Sequence, residues 1–172
     1  MQARGDFEPA ARPADDVAER WMREALGAAR AAARIGEVPV GACVVAADGA
    51  TLLAVAGNRT RTDCDPTAHA EVLALREAAR QVGNYRLTGA VVYSTVEPCA
   101  MCAGALVQAR VARLVYGARD EKAGAVESVF RVCDASSLNH RMELSAGVLE
   151  ADCRALMQEF FRAKRKGLRT ED

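Results

Sequence analysis

Residues 90–117, AVVYSTVEPCAMCAGALVQARVARLVYG, decide the fold that this sequence predicts. The apolar run at 90–96 is typical of a buried strand, and a helix is expected to begin at Pro98. The second apolar run, at 111–117, predicts another strand. Two strands joined through a helix are typical of a parallel pair. The stretch therefore indicates a mixed, partly parallel sheet covered by helices on both faces.

The flanking segments add the remaining elements of an α/β domain. A helix is expected to start near Asp15, and a hairpin to turn at Asp48-Gly49. A second helix spans about Pro66–Gln81, a last strand lies near 141–145, and a final helix runs from about Glu150 to Lys166. No internal repeat or linker interrupts this order of elements, which indicates one domain.

Length and composition are those of one globular unit. The chain has 172 residues, of which 51% are apolar and 27% charged, and a single domain is predicted over 15–172. Residues 1–14 combine Pro, Ala, Gly and mixed charges without periodicity, which indicates a flexible arm. No apolar run approaches the roughly 20 residues that span a bilayer, and no secretory h-region is present. A cytoplasmic location is therefore expected.

The charges balance, with 23 basic and 23 acidic residues. This balance excludes a protein that coats polyanions non-specifically, but it allows a local cationic surface. The run RAKRKGLR at 162–169, in which five of eight residues are basic, predicts such a surface. A solvated helix end that matches the helix dipole would have the same composition.

Cys99 and Cys102 follow Pro98 at a spacing that places both thiols on one side of the first turn of a helix. Unpaired backbone N–H groups and the positive end of the helix dipole favour the thiolate there, which is the form that binds metals. A lone C-x-x-C pattern is also compatible with a redox pair or with two buried thiols.

A scarce histidine makes the metal interpretation more specific. His69, one of two histidines in the chain, lies in a helix predicted to have Asp65 as its N-cap. Glu71 lies about 200° further around that helix, so both side chains face one site only beyond the helix N-terminus. His69, Cys99 and Cys102 would then form a Cys₂His set, which suits Zn²⁺ and leaves one position for a water whose proton Glu71 accepts.

The order H-x-E followed by P-C-x-x-C is the signature of zinc-dependent nucleobase deaminases. Other segments (VPVGACVV, NYRLTGA, RLVYGARDEKAG, LNHR and EFFRAKRK) resemble those of bacterial tRNA-specific adenosine deaminases, in the cytidine/deoxycytidylate deaminase superfamily. The resemblance covers nearly the whole chain after the arm. It implies a three-layer α/β/α cytidine-deaminase-like fold with about five strands, one zinc ion per subunit, and a homodimer. The implied reaction converts the wobble adenosine of a tRNA anticodon, typically that of an arginine tRNA, to inosine.

The same resemblance assigns roles to individual residues. It makes Glu71 the catalytic proton shuttle, and Asn58 matches the pocket asparagine that hydrogen-bonds the flipped nucleoside. The remaining contacts to the anticodon fall on a loop and on the C-terminal helix: Asp120 and Lys122, then Phe160, Phe161 and Arg162. From residue type alone, Asn58 is also compatible with a turn and Asp120 with a surface loop. The helical spacing also predicts that at least one of the two phenylalanines belongs to the core.

Two other functions are open on the sequence. A small-molecule deaminase of the same fold, acting on guanine, cytosine or a nucleotide, has the same core motif. A zinc-stabilised structural or RNA-binding module is the second alternative, in which Cys64 closes the site as Cys₃His.

The sequence also supports less specific predictions for five further residues. Cys43, Cys133 and Cys153 are expected to be buried thiols, and His140 to be structural. Glu127 departs from the resemblance, because many family members have glycine there. Its negative charge would be unfavourable beside a loop that faces RNA.

Overall fold

The structure is a computed structural model that describes residues 15–167, so the predicted arm at 1–14 and the end of the basic run at 168–169 lie outside the described residues. Its helices are α1 (Asp15–Arg34), α2 (Ala70–Val82), α3 (Ala100–Ala109) and α4 (Glu150–Gly167). Its strands are β1 (Gly41–Val45), β2 (Leu52–Gly57), β3 (Val91–Val96), β4 (Arg113–Ala118) and β5 (Glu143–Ala146). Within this part of the chain, no helix is both long and apolar enough to cross a membrane.

The strands form one mixed sheet in the order β2-β1-β3-β4-β5. The β1–β2 hairpin is antiparallel, and β1 is also antiparallel to β3. β3, β4 and β5 are parallel to one another. The β3–α3–β4 unit is the crossover that residues 90–117 predict, so the expected α/β/α fold with a mixed five-stranded sheet is confirmed.

Successive side chains along the strands face opposite sides of the sheet. Val92 and Leu114 are buried in the core that α2 and α3 cover. Tyr93 and Val115, one position further along the same strands, are buried in the core that α1 and α4 cover. Apolar residues at consecutive strand positions are therefore required, because both faces of the sheet are covered.

The expectations for the isolated thiols and for the second histidine are confirmed. Cys43, Cys133 and Cys153 are buried, and burial raises the pKa of each thiol to about 12, which keeps it protonated at neutral pH. His140 Nε2 lies 2.7 Å from the carbonyl oxygen of Val111, which is a structural contact.

α2 begins at Ala70, so the predicted start at Pro66 is wrong. Asp65 is not the N-cap, because its Oδ1 accepts hydrogen bonds from the backbone N–H and the hydroxyl of Thr67, each at 2.7 Å. These bonds close a local turn that competes with helix. The N-cap is His69, which has an extended backbone.

The helix that follows β3 also begins later than predicted. α3 starts at Ala100 rather than at Pro98, and Cys99 is its N-cap. Residues 119–142 contain no helix and no named strand, but an isolated bridge pairs Cys99 with Gly124. This bridge holds the long loop against the N-terminus of α3.

Candidate metal centre and active site

The N-termini of α2 and α3 bring together the three predicted metal ligands. His69 and Cys99 are the N-cap residues of these helices, and Cys102 lies in the first turn of α3. His69 Nδ1 lies 3.7 Å from Cys99 Sγ and 3.5 Å from Cys102 Sγ. An N-cap has left the helical path, so its side chain reaches beyond the helix end. This explains how residues of two helices converge.

The spacing of these atoms fits a tetrahedral zinc ion. Zinc bonds of 2.3 Å to sulfur and 2.0–2.1 Å to nitrogen, at a tetrahedral angle, require a sulfur–nitrogen separation of about 3.6 Å. The separations of 3.7 and 3.5 Å match this requirement. His69, Cys99 and Cys102 could therefore hold zinc with three protein ligands.

The protons of the cluster are unevenly distributed. Hydrogen bonds from Cys102 and from His69 lower the pKa of Cys99 to about 3, so Cys99 is a thiolate. The hydrogen bond to that thiolate, together with burial, raises the pKa of Cys102. The same thiolate raises the pKa of His69 through its hydrogen bond. Metal binding would thus release the proton of Cys102, since metals bind the thiolate.

Cys64 does not take part in the cluster. It is exposed, and its Sγ lies 3.7 Å from the carbonyl oxygen of Arg61 in its own loop. The only group of converging ligand atoms among the described residues consists of His69, Cys99 and Cys102. A closed Cys₃His site therefore has no support in the structure.

Glu71 lies in the first turn of α2, outside the ligand set, and is only 3% exposed. Ser94 Oγ lies 3.3 Å from its Oε1, while Oε2 is buried and has no hydrogen-bond partner among residues 15–167. Burial raises the pKa of the Glu71 carboxyl above its usual range. A carboxyl with a raised pKa and one uncommitted oxygen is suited to accepting and returning a proton.

Asn58 follows β2, is 6% exposed, and has a structural contact that the sequence did not indicate. Its Oδ1 accepts a hydrogen bond of 2.9 Å from the backbone N–H of Ala70, the first residue of α2. Asn58 therefore caps the helix that carries Glu71. Its Nδ2 has no hydrogen-bond partner within the described part of the chain, which leaves this amide for a ligand.

Most of the residues predicted to contact RNA line a groove between the 119–122 loop and α4. Asp120, Lys122 and Phe161 line it, and a continuation along α4 adds Arg162 and Arg165. Lys122, Arg162 and Arg165 form no ion pair with any of residues 15–167. The groove thus presents uncommitted positive charge beside an aromatic side chain.

The prediction that at least one of the two phenylalanines belongs to the core is wrong. Phe161 is 41% exposed and Phe160 is half-buried. Their rings meet edge to face with centroids 5.4 Å apart. Among residues 150–166 of α4, only Cys153, near the start of the helix, is fully buried, so the later turns extend past the region packed on the sheet.

Two buried glutamates organise the loops on either side of the site, and sequence interpretation missed both. Glu37 accepts four hydrogen bonds from the backbone and hydroxyl groups of residues 60–62. Glu97 accepts five from the loop at 120–128. The position of Glu97, directly between β3 and the Pro-Cys motif, was the one available signal.

The charge of Glu127 is neutralised in the structure. Its Oε2 accepts a hydrogen bond from the hydroxyl of Tyr116 and pairs with Arg119 Nη2 at 3.3 Å. The unfavourable negative charge expected beside the loop is therefore largely satisfied within the protein.

Known proteins are similar to this chain in sequence and in fold. A family model described as MafB19-like deaminase matches residues 17–165. A tRNA-specific adenosine deaminase of Haemophilus influenzae is 41% identical over 162 residues, which are 94% of this chain and 93% of that protein. One from Agrobacterium fabrum is 45% identical over 151 residues, or 87% of this chain and 98% of that protein.

The chain belongs to the tRNA-specific adenosine deaminase family. A solved structure from a study of A-to-I editing by tRNA deaminases at the wobble position matches it with a TM-score of 0.76 and 44% identity, over 80% of this chain and 98% of the other. A guanine deaminase from Nitrosomonas europaea has a TM-score of 0.73 and 25% identity, over 89% of this chain and 86% of the other. This family member therefore shares its fold with enzymes named for a different substrate.

Proposed function

We propose that this protein hydrolyses the 6-amino group of the wobble adenosine in a tRNA anticodon loop, which converts that residue to inosine and releases ammonia. The observation that carries the proposal is the pairing of a Cys₂His ligand set with a buried carboxyl, Glu71, whose Oε2 is uncommitted. The relatives' names support adenosine in tRNA as the substrate. An arginine tRNA is the expected partner.

His69, Cys99 and Cys102 would hold one zinc ion per subunit. When bound, zinc supplies a Lewis acid that lowers the pKa of a coordinated water to about 7. The helices hold all three ligands in place. His69 and Cys99 are the N-cap residues of α2 and α3, and Cys102 lies in the first turn of α3. The location of this site at two helix N-termini also favours the thiolate ligands.

Glu71 moves the protons of the reaction. Its Oε2 accepts a proton from the attacking water and donates it to N1 of the purine ring as the oxygen bonds to C6. The second water proton leaves with the amino group as ammonia. The raised pKa of the buried carboxyl allows Glu71 to return the proton easily, because a proton shuttle works best when its pKa approaches the operating pH.

Asn58 and the groove provide substrate contacts. The Nδ2 of Asn58 donates a hydrogen bond to the flipped nucleoside, while Oδ1 stays on α2. Lys122, Arg162 and Arg165 contact phosphates of the anticodon loop, and Phe161 offers a stacking surface. The zero net charge of the chain makes this local cationic surface the main source of attraction for RNA.

Guanine deamination is the second candidate, favoured by the fold shared with the Nitrosomonas europaea enzyme. The proposed homodimer and the cytoplasmic location do not distinguish the two. A deamination assay does, if it uses an anticodon stem-loop with a wobble adenosine beside free guanine and free cytosine. Inosine in the stem-loop alone is the expected result, with Glu71→Ala as the blank. Turnover of a free base without turnover of the stem-loop would contradict the proposal.

A further inference from the structure

Glu97 accepts hydrogen bonds from backbone N–H groups of the loop that carries Asp120 and Lys122. Its side chain is 3% exposed. Oε1 accepts hydrogen bonds from the backbone N–H groups of three consecutive residues, Val126 at 3.2 Å, Glu127 at 2.8 Å and Ser128 at 2.9 Å. Oε2 accepts the backbone N–H of Asp120 at 3.1 Å and the hydroxyl of Ser128. One carboxyl therefore joins the two ends of the loop.

The loop passes so close to this carboxyl that only glycine fits beside it. A Cβ on Gly124 would lie 2.4 Å from Glu97 Cδ, well inside van der Waals contact. Glycine at 124 therefore allows the carboxyl to lie inside the loop. The fit depends on both residues.

Backbone hydrogen bonds join the same loop to the metal-ligand segment. The N–H of Glu97 donates to Ala118 at 2.8 Å, and that of Ala125 donates to Pro98 at 2.8 Å. An isolated bridge also pairs Cys99 with Gly124. The loop is thus attached to the segment that ends in Cys99, and Glu97 sets its shape from inside.

Glu97 reaches the groove through Asp120. The N–H of Asp120 is held by Glu97, while Asp120 Oδ1 accepts the N–H groups of Lys122 at 3.0 Å and Ala123 at 3.2 Å. This turn directs residues 120 and 122 to the groove that also contains Phe161. A change at Glu97 would therefore move the Lys122 ammonium without touching the substrate-facing atoms.

We propose that Glu97 is a positioning residue for tRNA recognition, which fixes the 120–128 loop so that Lys122 and Asp120 meet the anticodon backbone. The inference rests on the proposed function, because it needs an anticodon loop in the groove. Glu97 has no role in proton transfer, which belongs to Glu71. Its contribution lies in binding the stem-loop.

The test is Glu97→Gln with the zinc-loaded full-length protein and an anticodon stem-loop. The carboxamide oxygen can still accept the three N–H groups at 126–128, but its NH₂ then faces the N–H donor of Asp120. Losing the hydrogen bond to Asp120 displaces Lys122, so the KM should rise several-fold, by no more than the rise caused by removing Lys122 itself. We expect kcat and zinc content to stay at the wild-type level, since an interaction lost equally from bound substrate and transition state raises KM alone.

A double-mutant cycle separates positioning from a general loss of structure. If Glu97 acts through Lys122, Glu97→Gln adds little to the KM of Lys122→Ala. A purely structural defect would multiply the two effects instead. That multiplication would overturn the inference.

Glu37→Gln is the matched control, because Glu37 is also a buried glutamate surrounded by loop donors, yet its donors lie at 60–62. It should lower the Tm without raising the KM for the stem-loop. If Glu97→Gln fails to fold, Ser128→Ala removes one donor to Oε2 and should raise the KM in the same direction by less.

The failures of the two proposals are distinguishable. A wild-type enzyme that does not deaminate the stem-loop overturns the proposed function and this inference with it. A wild-type enzyme that does so, with an unchanged KM in Glu97→Gln or in its substitute Ser128→Ala, overturns only the role of Glu97. If Glu97→Gln loses zinc, or if its kcat falls at constant KM, that role is also overturned. Glu97 would then support the metal ligands rather than the binding of the stem-loop.

Discussion

Glu71 and Glu97 are equally buried, each 3% exposed, but the regions around them differ. At the metal end, Oε2 of Glu71 has no hydrogen-bond partner among residues 15–167, and burial raises the pKa of the carboxyl. At the loop end, burial alone would raise the pKa of Glu97. Hydrogen bonds from the backbone N–H groups of Glu127 and Ser128 and from the Ser128 hydroxyl outweigh it, so the pKa is lowered. The hydrogen-bond donors around Glu97 separate a carboxyl that stays ionised and holds a loop from one, Glu71, that exchanges protons.

The largest expected effect on the chemical step of a folded, zinc-loaded enzyme is that of Glu71→Gln. The amide cannot carry a proton between water and base, so kcat should fall by about 10²- to 10⁴-fold, the usual contribution of general acid–base catalysis. Zinc content and Tm should stay close to the wild type, since the side chain is neither a ligand nor a helix cap. Steady-state kinetics with metal analysis checks this, and a variant retaining full kcat would remove the difference between the two glutamates.

His69→Ala tests whether the metal end depends on its ligand set. Loss of one of three ligands should remove zinc and with it the activity, and should lower the Tm, because metal binding contributes to folding stability. Metal content per subunit and thermal unfolding are the measurements. Cys64→Ser is the matched control, and we expect it to keep zinc, activity and Tm. Loss of zinc from Cys64→Ser would instead support a closed site.

Lys122→Ala tests the loop end by a smaller change. Removing one cation that contacts phosphate should raise the KM for the stem-loop several-fold and lower the slope of log affinity against log salt by roughly 1. Binding measured between low and moderate salt concentrations gives that slope. Arg86→Ala, a change at an exposed cation that contacts Tyr85 rather than the groove, is the comparison, and an equal loss of slope in both variants would refute a localised RNA surface.

The smallest effect concerns pH and the second donor-rich glutamate, Glu37. Burial tends to raise its pKa, but hydrogen bonds from Thr62, Thr60 and Arg61 outweigh it and lower the pKa below the ordinary 4.5. A folded pKa below the unfolded one stabilises the protein above the unfolded value, and this stabilisation is lost as pH falls. The Tm difference between wild type and Glu37→Gln should therefore be constant near neutrality and shrink below a pH of about 4.5. A difference that grew toward acid pH would contradict this sign.

The sequence predicted the sheet because its strands are marked by continuous apolar runs, and it predicted the ligand set because the motif residues are scarce. It misplaced the starts of α2 and α3, because Pro66 and Pro98 are good first-turn residues locally. The turn closed by Asp65 and Thr67 delays the first helix until His69. The helix starts matter to the site, since they make His69 and Cys99 N-caps.

The roles of Glu37, Glu97 and Asn58 could not be predicted in the same way. Their hydrogen-bond partners lie from 12 to 31 residues away in the chain, so no local pattern connects them. Phe160 and Phe161 have a spacing typical of a buried helix face, but α4 continues past the packed region. The pattern of apolar residues within a helix cannot show where the sheet that the helix packs against ends.

The most direct test of the division between the two regions is the effect of Glu71→Gln and Glu97→Gln on kcat and KM for the same anticodon stem-loop. We expect Glu71→Gln to lose kcat with KM unchanged, and Glu97→Gln to raise KM with kcat unchanged. A fall in kcat of equal size in both variants would contradict the account, because both carboxyls would then act in the chemical step.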